Sequence, residues 1–305
     1  GSYGLIEPSD ARYAEIGREM FRSGDLLHPR LLGIHHFHKP PLIYWLTDLG
    51  YALFGTDEWG ARAALGLLGL ILCGIVGDFA ARHLGRRALP WAVALTATTP
   101  AVIGAGRMLT TDLLLAVCLG LALTGWYDHF SGAGARAARL RFYGGAGLAF
   151  LAKGPVAWLL LLLILGPFAL LRRGERRRRA SWKWGWGVAG ALLLALPWYI
   201  VVVVGTPGLL DYFLGGQLGS RFQESGMGHP HPIYYYLIAY PALGLPWLLP
   251  AIPGWRRLRR EEASLALFLG LWAVVPPLFF SLPATKLPLY VLPAYPAVAL
   301  LAASI

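Results

Sequence analysis

Long, continuously apolar runs constrain this chain more than any other feature, because several approach the roughly 20 residues that carry a helix across a bilayer. The runs do not alternate apolar with polar residues, so a transmembrane β-barrel is excluded. Of the residues, 56% are hydrophobic and 14% charged, where soluble domains carry roughly a quarter charged residues. The chain is therefore read as an all-α polytopic membrane protein. About nine apolar segments are expected, at 57–81, 88–106, 109–128, 142–152, 155–171, 184–204, 233–252, 263–282 and 287–305. The fourth is too short to span alone, and with the fifth it predicts a tilted hairpin turning at Lys153-Gly154-Pro155. Residues 1–56 form an extracytoplasmic loop with juxtamembrane helices, and residues 57–305 a multi-span domain with an extracytoplasmic loop at 205–232. The chain starts in a polar segment and stops in an apolar run, as expected of a piece of a longer protein.

The net charge of +11 reports topology rather than a nucleic-acid partner. When the segments alternate sides, loops 82–87, 129–141, 172–183 and 253–262 fall together and hold 17 of the 27 Lys and Arg residues. An excess of cations in short loops marks the cytoplasmic side. The opposite, extracytoplasmic side carries 11 of the 16 acidic residues and six of the eight histidines. Mixed charge gathered at one membrane face points to a site there. Cys73 and Cys118 lie inside apolar runs, far apart, and form no metal or disulfide pattern.

On that face, residues 9–23 predict an interfacial amphipathic helix. Ser9 is placed to cap its start and Gly24 to end it. Tyr13, Ile16, Met20 and Phe21 fall near one stripe, with Arg12, Glu15, Arg18 and Glu19 toward the other side. Asp10 falls in the first turn, where the helix dipole favours its ionised form, and stabilisation of that terminus is its plainer role. His35, His36 and His38 precede Lys39-Pro40-Pro41, and 42–54 predicts a second surface helix anchored by Tyr44, Trp45, Tyr51 and Phe54. Lys39 suits either a lipid headgroup or a bound phosphate. The loop residues His229 and His231, with His38, have the chemistry of a metal site, although polar loop histidines explain them as simply. Lys286 and Tyr290 can address a phosphate or anchor the chain at the interface. Arg107 and Asp112 fit a structural ion pair.

Ser9-Asp10-Ala11-Arg12-Tyr13-Ala14-Glu15-Ile16, Arg18-Glu19-Met20, Ser23-Gly24-Asp25 and Phe37-His38-Lys39-Pro40-Pro41-Leu42 together resemble the first extracytoplasmic loop of bacterial GT-C glycosyltransferases. The aminoarabinose transferases of lipid A are the nearer group, and the dolichyl-phosphate-mannose protein mannosyltransferases are more distant. Thr111-Asp112, Ala152-Lys153-Gly154, the loop ending at His229 with Pro232 and Tyr234-Tyr235-Tyr236, and Lys286-Leu287-Pro288 with Tyr290 extend the likeness in order along the chain. The resemblance implies a GT-C type helical bundle in the bacterial inner membrane, with its active site on the extracytoplasmic face. It also implies a polyprenyl-phosphate sugar donor and inverting transfer to lipid A, another glycolipid, a polysaccharide or a protein.

The family motif has an Asp-Glu pair before x-Arg-Tyr, and Ser9 and Asp10 occupy those places here. Asp10 is thus the first candidate base and Glu7 the second. Arg12, Lys39 and Tyr290 match positions that contact the lipid phosphate, with Lys286 beside them. Where the aminoarabinose transferases place a metal-binding Glu before the Lys-Pro pair, this chain has His38, while His229 matches their loop histidine. Zinc is the cofactor the likeness implies, at His38 and His229, with His231 added by the His-Pro-His spacing. Two other readings use the same features: a transporter or flippase of polyprenyl-linked sugars, and a lipid-binding family member without activity.

Overall fold

The structure is a computed structural model that describes residues 4–5, 9–133, 135–172, 174, 184–213, 215 and 231–305. Glu7, Arg221, Glu224, His229 and most of the basic loop 172–183 lie outside the described residues. Two short helices lie ahead of the bundle: α1, Asp10–Ser23, and α2, Leu42–Phe54. Between them a two-stranded hairpin pairs β1, Arg30–Leu31, with β2, Ile34–His35. The bundle continues with α3 (Glu58–His83), α4 (Ala88–Ala97), α5 (Pro100–Ala105), α6 (Thr111–Ser131), α7 (Ala135–Lys153) and α8 (Pro155–Leu171). It then runs through α9 (Trp184–Ala195), α10 (Pro197–Gly205), α11 (Tyr235–Gly244), α12 (Leu248–Glu261) and α13 (Ala263–Ser281). A 3-10 segment, Pro288–Ala294, leads into α14, Tyr295–Ala302.

Among the described residues, α3, α6 and α13 are each long and apolar enough to cross a membrane. Two bent pairs, Gly185–Ala195 with Pro197–Gly205 at 44° and α11 with α12 at 92°, bring the number to as many as five. Local chemistry explains where the apolar runs divide. Proline removes a backbone donor and clashes with the preceding turn, so 184–204 bends at Leu196-Pro197 and 88–106 breaks at Thr98-Thr99-Pro100. The run 287–305 begins as 3-10 helix because Pro288 and Pro293 interrupt the i→i+4 ladder. Gly154, at φ +74°, makes the predicted turn between α7 and α8, and Pro155 opens the next helix.

Helix α6 is the mast of the bundle. It is apolar on all sides and almost wholly buried, as a helix surrounded by other helices should be. It packs most closely against α7 through small residues, the means by which membrane helices bring backbones together. A Cβ added to Gly145 would lie 2.6 Å from Ala122 N and 2.8 Å from Cys118 O. Both are backbone atoms and cannot rotate away. Gly145→Ala should therefore cost about 1–3 kcal/mol, read as a lower unfolding temperature of the purified protein in detergent.

Charged side chains gather at the two ends of the bundle. At the end bearing the basic loops, fully buried Asp128 accepts from Arg82 Nη2 at 2.9 Å, His83 Nε2 at 2.5 Å and Arg141 Nη2 at 2.5 Å. Arg141 belongs to the first turns of α7, so the stretch read from sequence as a polar loop at 129–141 is mostly helix held down by Asp128. The other end carries α1, α2, the hairpin, the start of α6 and the end of α7, and this is where the candidate site forms.

Candidate active site

Helix α1 ends as the sequence indicates: Gly24 is left-handed, at φ +70°, and its N–H donates to Met20 O. Its start differs. Ser9 has helical backbone angles and makes no side-chain cap. Asp10 secures this end instead, with a carboxylate that is 1% exposed. One oxygen pairs with Arg62 of α3, and the other accepts from Leu109 N at 2.7 Å. Arg62 also donates to Gly4 O at 3.2 Å. Asp10 thus ties α1 to α3 and to the segment before α6.

That tie brings the next turn of α1 against the start of α6. Burial, with the nearby Asp112 and Tyr290, pushes the Tyr13 phenol pKa up. The ring stacks on Tyr44 of α2, with centroids 5.8 Å apart. Asp112 pairs with Lys153, the last residue of α7, and both side chains are buried. The Lys153 ammonium lies 4.3 Å from the centroid of the Tyr290 ring, within cation–π range. Asp112 is in the first turn of α6. The hairpin turn at Gly154 returns Lys153 to the start of α6, where it meets Asp112.

The strap before α2 adds cations. Its hinge is Phe37, buried against Trp198 of α10 with centroids 6.3 Å apart. His36 and His38 stack with centroids 4.1 Å apart. Burial first, then the charges of His38, Arg12 and Lys39, lower the His36 pKa to about 4. The charges of Arg12 and Lys39 thus reach the His36–His38 stack, and two cations acting on one site suit an anion. The histidine run is visible in the sequence, yet the part played by His36 emerges only from this convergence. Lys153, an ionisable residue closing an apolar run, is the signal by which its pairing could have been sought.

Lys286 takes a different position from the one the sequence suggests. Its buried ammonium donates to His231 O at 2.9 Å and Pro283 O at 2.6 Å, and burial lowers its pKa. It clamps the segment at 231, whose imidazole stacks on Tyr235 with centroids 4.3 Å apart. Among the described residues, no three His, Cys, Asp or Glu side chains converge to hold a metal ion. His38 lies against His36 and His231 against Tyr235. His229 lies outside the described residues, so no step below runs through a metal.

An apolar bundle with cations and a buried Asp–Lys pair at one end has known counterparts. The sequence profile of the dolichyl-phosphate-mannose-protein mannosyltransferase family matches residues 38–201. The chain belongs to this family. Within the wider group, it is similar to an undecaprenyl phosphate-alpha-4-amino-4-deoxy-L-arabinose arabinosyl transferase of Edwardsiella ictaluri, 33% identical across 98% of this chain and 55% of that relative. The chain thus spans about half the length of the curated relatives it matches. The crystal structure of ArnT from Cupriavidus metallidurans bound to undecaprenyl phosphate superposes with a TM-score of 0.89 at 31% identity, covering 98% of this chain and 56% of ArnT. An oligosaccharyltransferase of Archaeoglobus fulgidus, at a TM-score of 0.58 and 14% identity over 98% of this chain and 45% of its own, shares the fold. The fold of this family member is accordingly an all-α, GT-C type helical bundle of a membrane protein.

Proposed function

We propose that this chain carries the donor site and reaction centre of an inverting glycosyltransferase. It takes a sugar from a polyprenyl-phosphate carrier and passes it to an extracytoplasmic acceptor. The observation that carries this reading is the buried Asp112–Lys153 pair at one end of an apolar bundle, the same end where the charges of Arg12 and Lys39 act on the His36–His38 stack. A polyprenyl tail stays in the bilayer and presents its phosphate at the membrane surface, which is where these cations lie. The related ArnT is seen with undecaprenyl phosphate, and the donor named for the Edwardsiella relative is an undecaprenyl phosphate sugar. Both support the reading, as does the basic-loop pattern for a multi-pass protein of the bacterial inner membrane with this end outside.

Sugar transfer breaks the bond between the anomeric carbon and the phosphate oxygen, and negative charge builds on the departing phosphate. Arg12 and Lys39 meet that charge with donors already in place, where preorganised electrostatics contribute most. Tyr290 holds the Lys153 ammonium against its ring face. Lys286 acts by holding the 231 segment rather than by touching phosphate. The acceptor hydroxyl needs a base as it attacks. Asp10 has both oxygens engaged by Arg62 and Leu109 N–H, so its role in this scheme is to position α1. Asp112, held in place by its ion pair with Lys153, takes the proton of the acceptor hydroxyl as that hydroxyl attacks. A carboxylate therefore remains available although Ser9 replaces the usual acidic residue. Charges gathered at one end, rather than at mid-membrane between repeated halves, favour a transferase over a transporter.

The test is donor binding. Lys39→Ala in the full-length protein should weaken undecaprenyl phosphate binding about 10- to 100-fold, the worth of a hydrogen bond to a charged group. Equilibrium titration in nanodiscs measures this, and an unchanged affinity would remove Lys39 from the phosphate site.

A further inference from the structure

The contact between α1 and α2 buries an ionisable group that the proposed chemistry does not use. Asp48 lies on the inner face of α2, 8% exposed, and neither carboxylate oxygen has a hydrogen-bonding partner in the protein. Gly17 of α1 faces it. A Cβ built on Gly17 would lie 2.7 Å from Thr47 Cγ2 and 3.6 Å from Asp48 Oδ1. The two helices therefore meet with no space for a hydration shell. Thr47 offers no help, because its hydroxyl donates to Ile43 O at 3.0 Å.

The surrounding charges are committed elsewhere. On α1, Asp10 pairs with Arg62, Arg18 with Glu15, and Glu19 accepts from the hairpin at Leu32 N and Gly33 N. Arg12 faces His36, and Arg22 is exposed. On α3, Asp57 caps the helix through Gly60 N and Glu58 is exposed. At the near end of α7, Lys153 pairs with Asp112. Tyr13 packs on Tyr44, and Tyr51 donates to Ala14 O at 2.9 Å.

We propose that Asp48 is a proton-controlled seat for α1. Protonated, its carboxyl is accommodated against Gly17 and α1 stays docked on α2. Ionised, it draws water into the contact, and α1 lifts about its anchor at Asp10, carrying Arg12 and Tyr13 away from the donor phosphate. The consequence for transfer rests on the donor-site reading above, whereas the docking itself does not.

Burial, the sole cause acting on Asp48, raises its pKa from 3.8 to about 7. The docked state therefore holds a proton that the lifted state releases at the ordinary carboxylate pKa. Docking is strongest below about pH 4, weakens as pH rises toward neutrality, and levels off above about pH 7. Each pH unit inside that window multiplies the opening equilibrium by up to about ten.

Amide hydrogen exchange of residues 10–23 in the reconstituted full-length protein tests this without any assay of activity. After correction for base catalysis of exchange itself, opening of α1 should increase more than tenfold from pH 5 to pH 7 and flatten above. Asp48→Asn, nearly the same shape, should hold the low-pH level throughout. Gly17→Ala, which pries the contact apart, should exchange fast at every pH. A flat profile in the unaltered protein would overturn the proposal, whatever the variants do. So would an unchanged pH dependence in Asp48→Asn. If the exchange behaves as expected while donor affinity shows no pH dependence, the seat stands and the donor-site assignment of α1 fails.

Discussion

Asp112→Asn should lower sugar transfer by about 10²–10⁴-fold, the contribution of a placed general base. Asparagine keeps the shape of the side chain but cannot take the acceptor proton. It also leaves Lys153 buried beside a neutral amide, and removing one partner of a buried ion pair costs roughly 3–5 kcal/mol. The two effects separate in Asp112→Asn combined with Lys153→Met. The double variant should melt near the unaltered protein, since no orphaned charge remains, and still bind undecaprenyl phosphate through Arg12 and Lys39. It should nevertheless stay inactive. Turnover and thermal unfolding on the same preparations provide the comparison. Transfer close to normal in the double variant would show that Asp112 and Lys153 are structural alone.

Arg62→Met should destabilise the protein by roughly 3–5 kcal/mol, because it strands the Asp10 carboxylate in a site that is 1% exposed. Asp10→Asn in the same background removes the stranded charge and should recover most of that loss. The pair also distinguishes a positioning role from a catalytic one. With the carboxylate gone but α1 still seated, the double variant should retain transfer within about tenfold, since no general base worth 10²–10⁴ has been lost. A folded double variant with no turnover would return the base to Asp10, where the likeness to the GT-C enzymes first placed it.

Much of the extracytoplasmic end was legible in the sequence because its signals are local. The two surface helices end where their turn residues indicate: α1 at left-handed Gly24 and α2 at Phe54 before Gly55. The hairpin at Lys153-Gly154-Pro155 follows from one glycine and one proline. The family emerged from short motifs spread in order along the chain. The run 88–106, by contrast, reads as one continuous segment and divides in the structure before Pro100. Hydropathy averages over a break that leaves composition unchanged. Ser9 reads as a cap by residue type, but its backbone angles are helical and it makes none.

The charged residues show where sequence reading stops. Asp10, Asp112, Lys153 and Lys39 are all conspicuous as charges beside apolar runs, and from that their gathering at one membrane face follows. Their partners do not. Asp10 could serve as base, cap or anchor until Arg62, 52 positions along, is found against it. Asp112 meets Lys153 only because α7 brings it from 41 positions away. The sequence by itself determined a helical membrane bundle and its charge asymmetry, because apolar length and loop charge act through the bilayer without regard to neighbours. Only the tertiary structure decided that Asp10 pairs with Arg62, that Asp112 pairs with Lys153, and that the Asp48 carboxylate has no partner. In a low-dielectric interior the role of a charge depends on the few groups within hydrogen-bonding reach, and packing alone selects those groups.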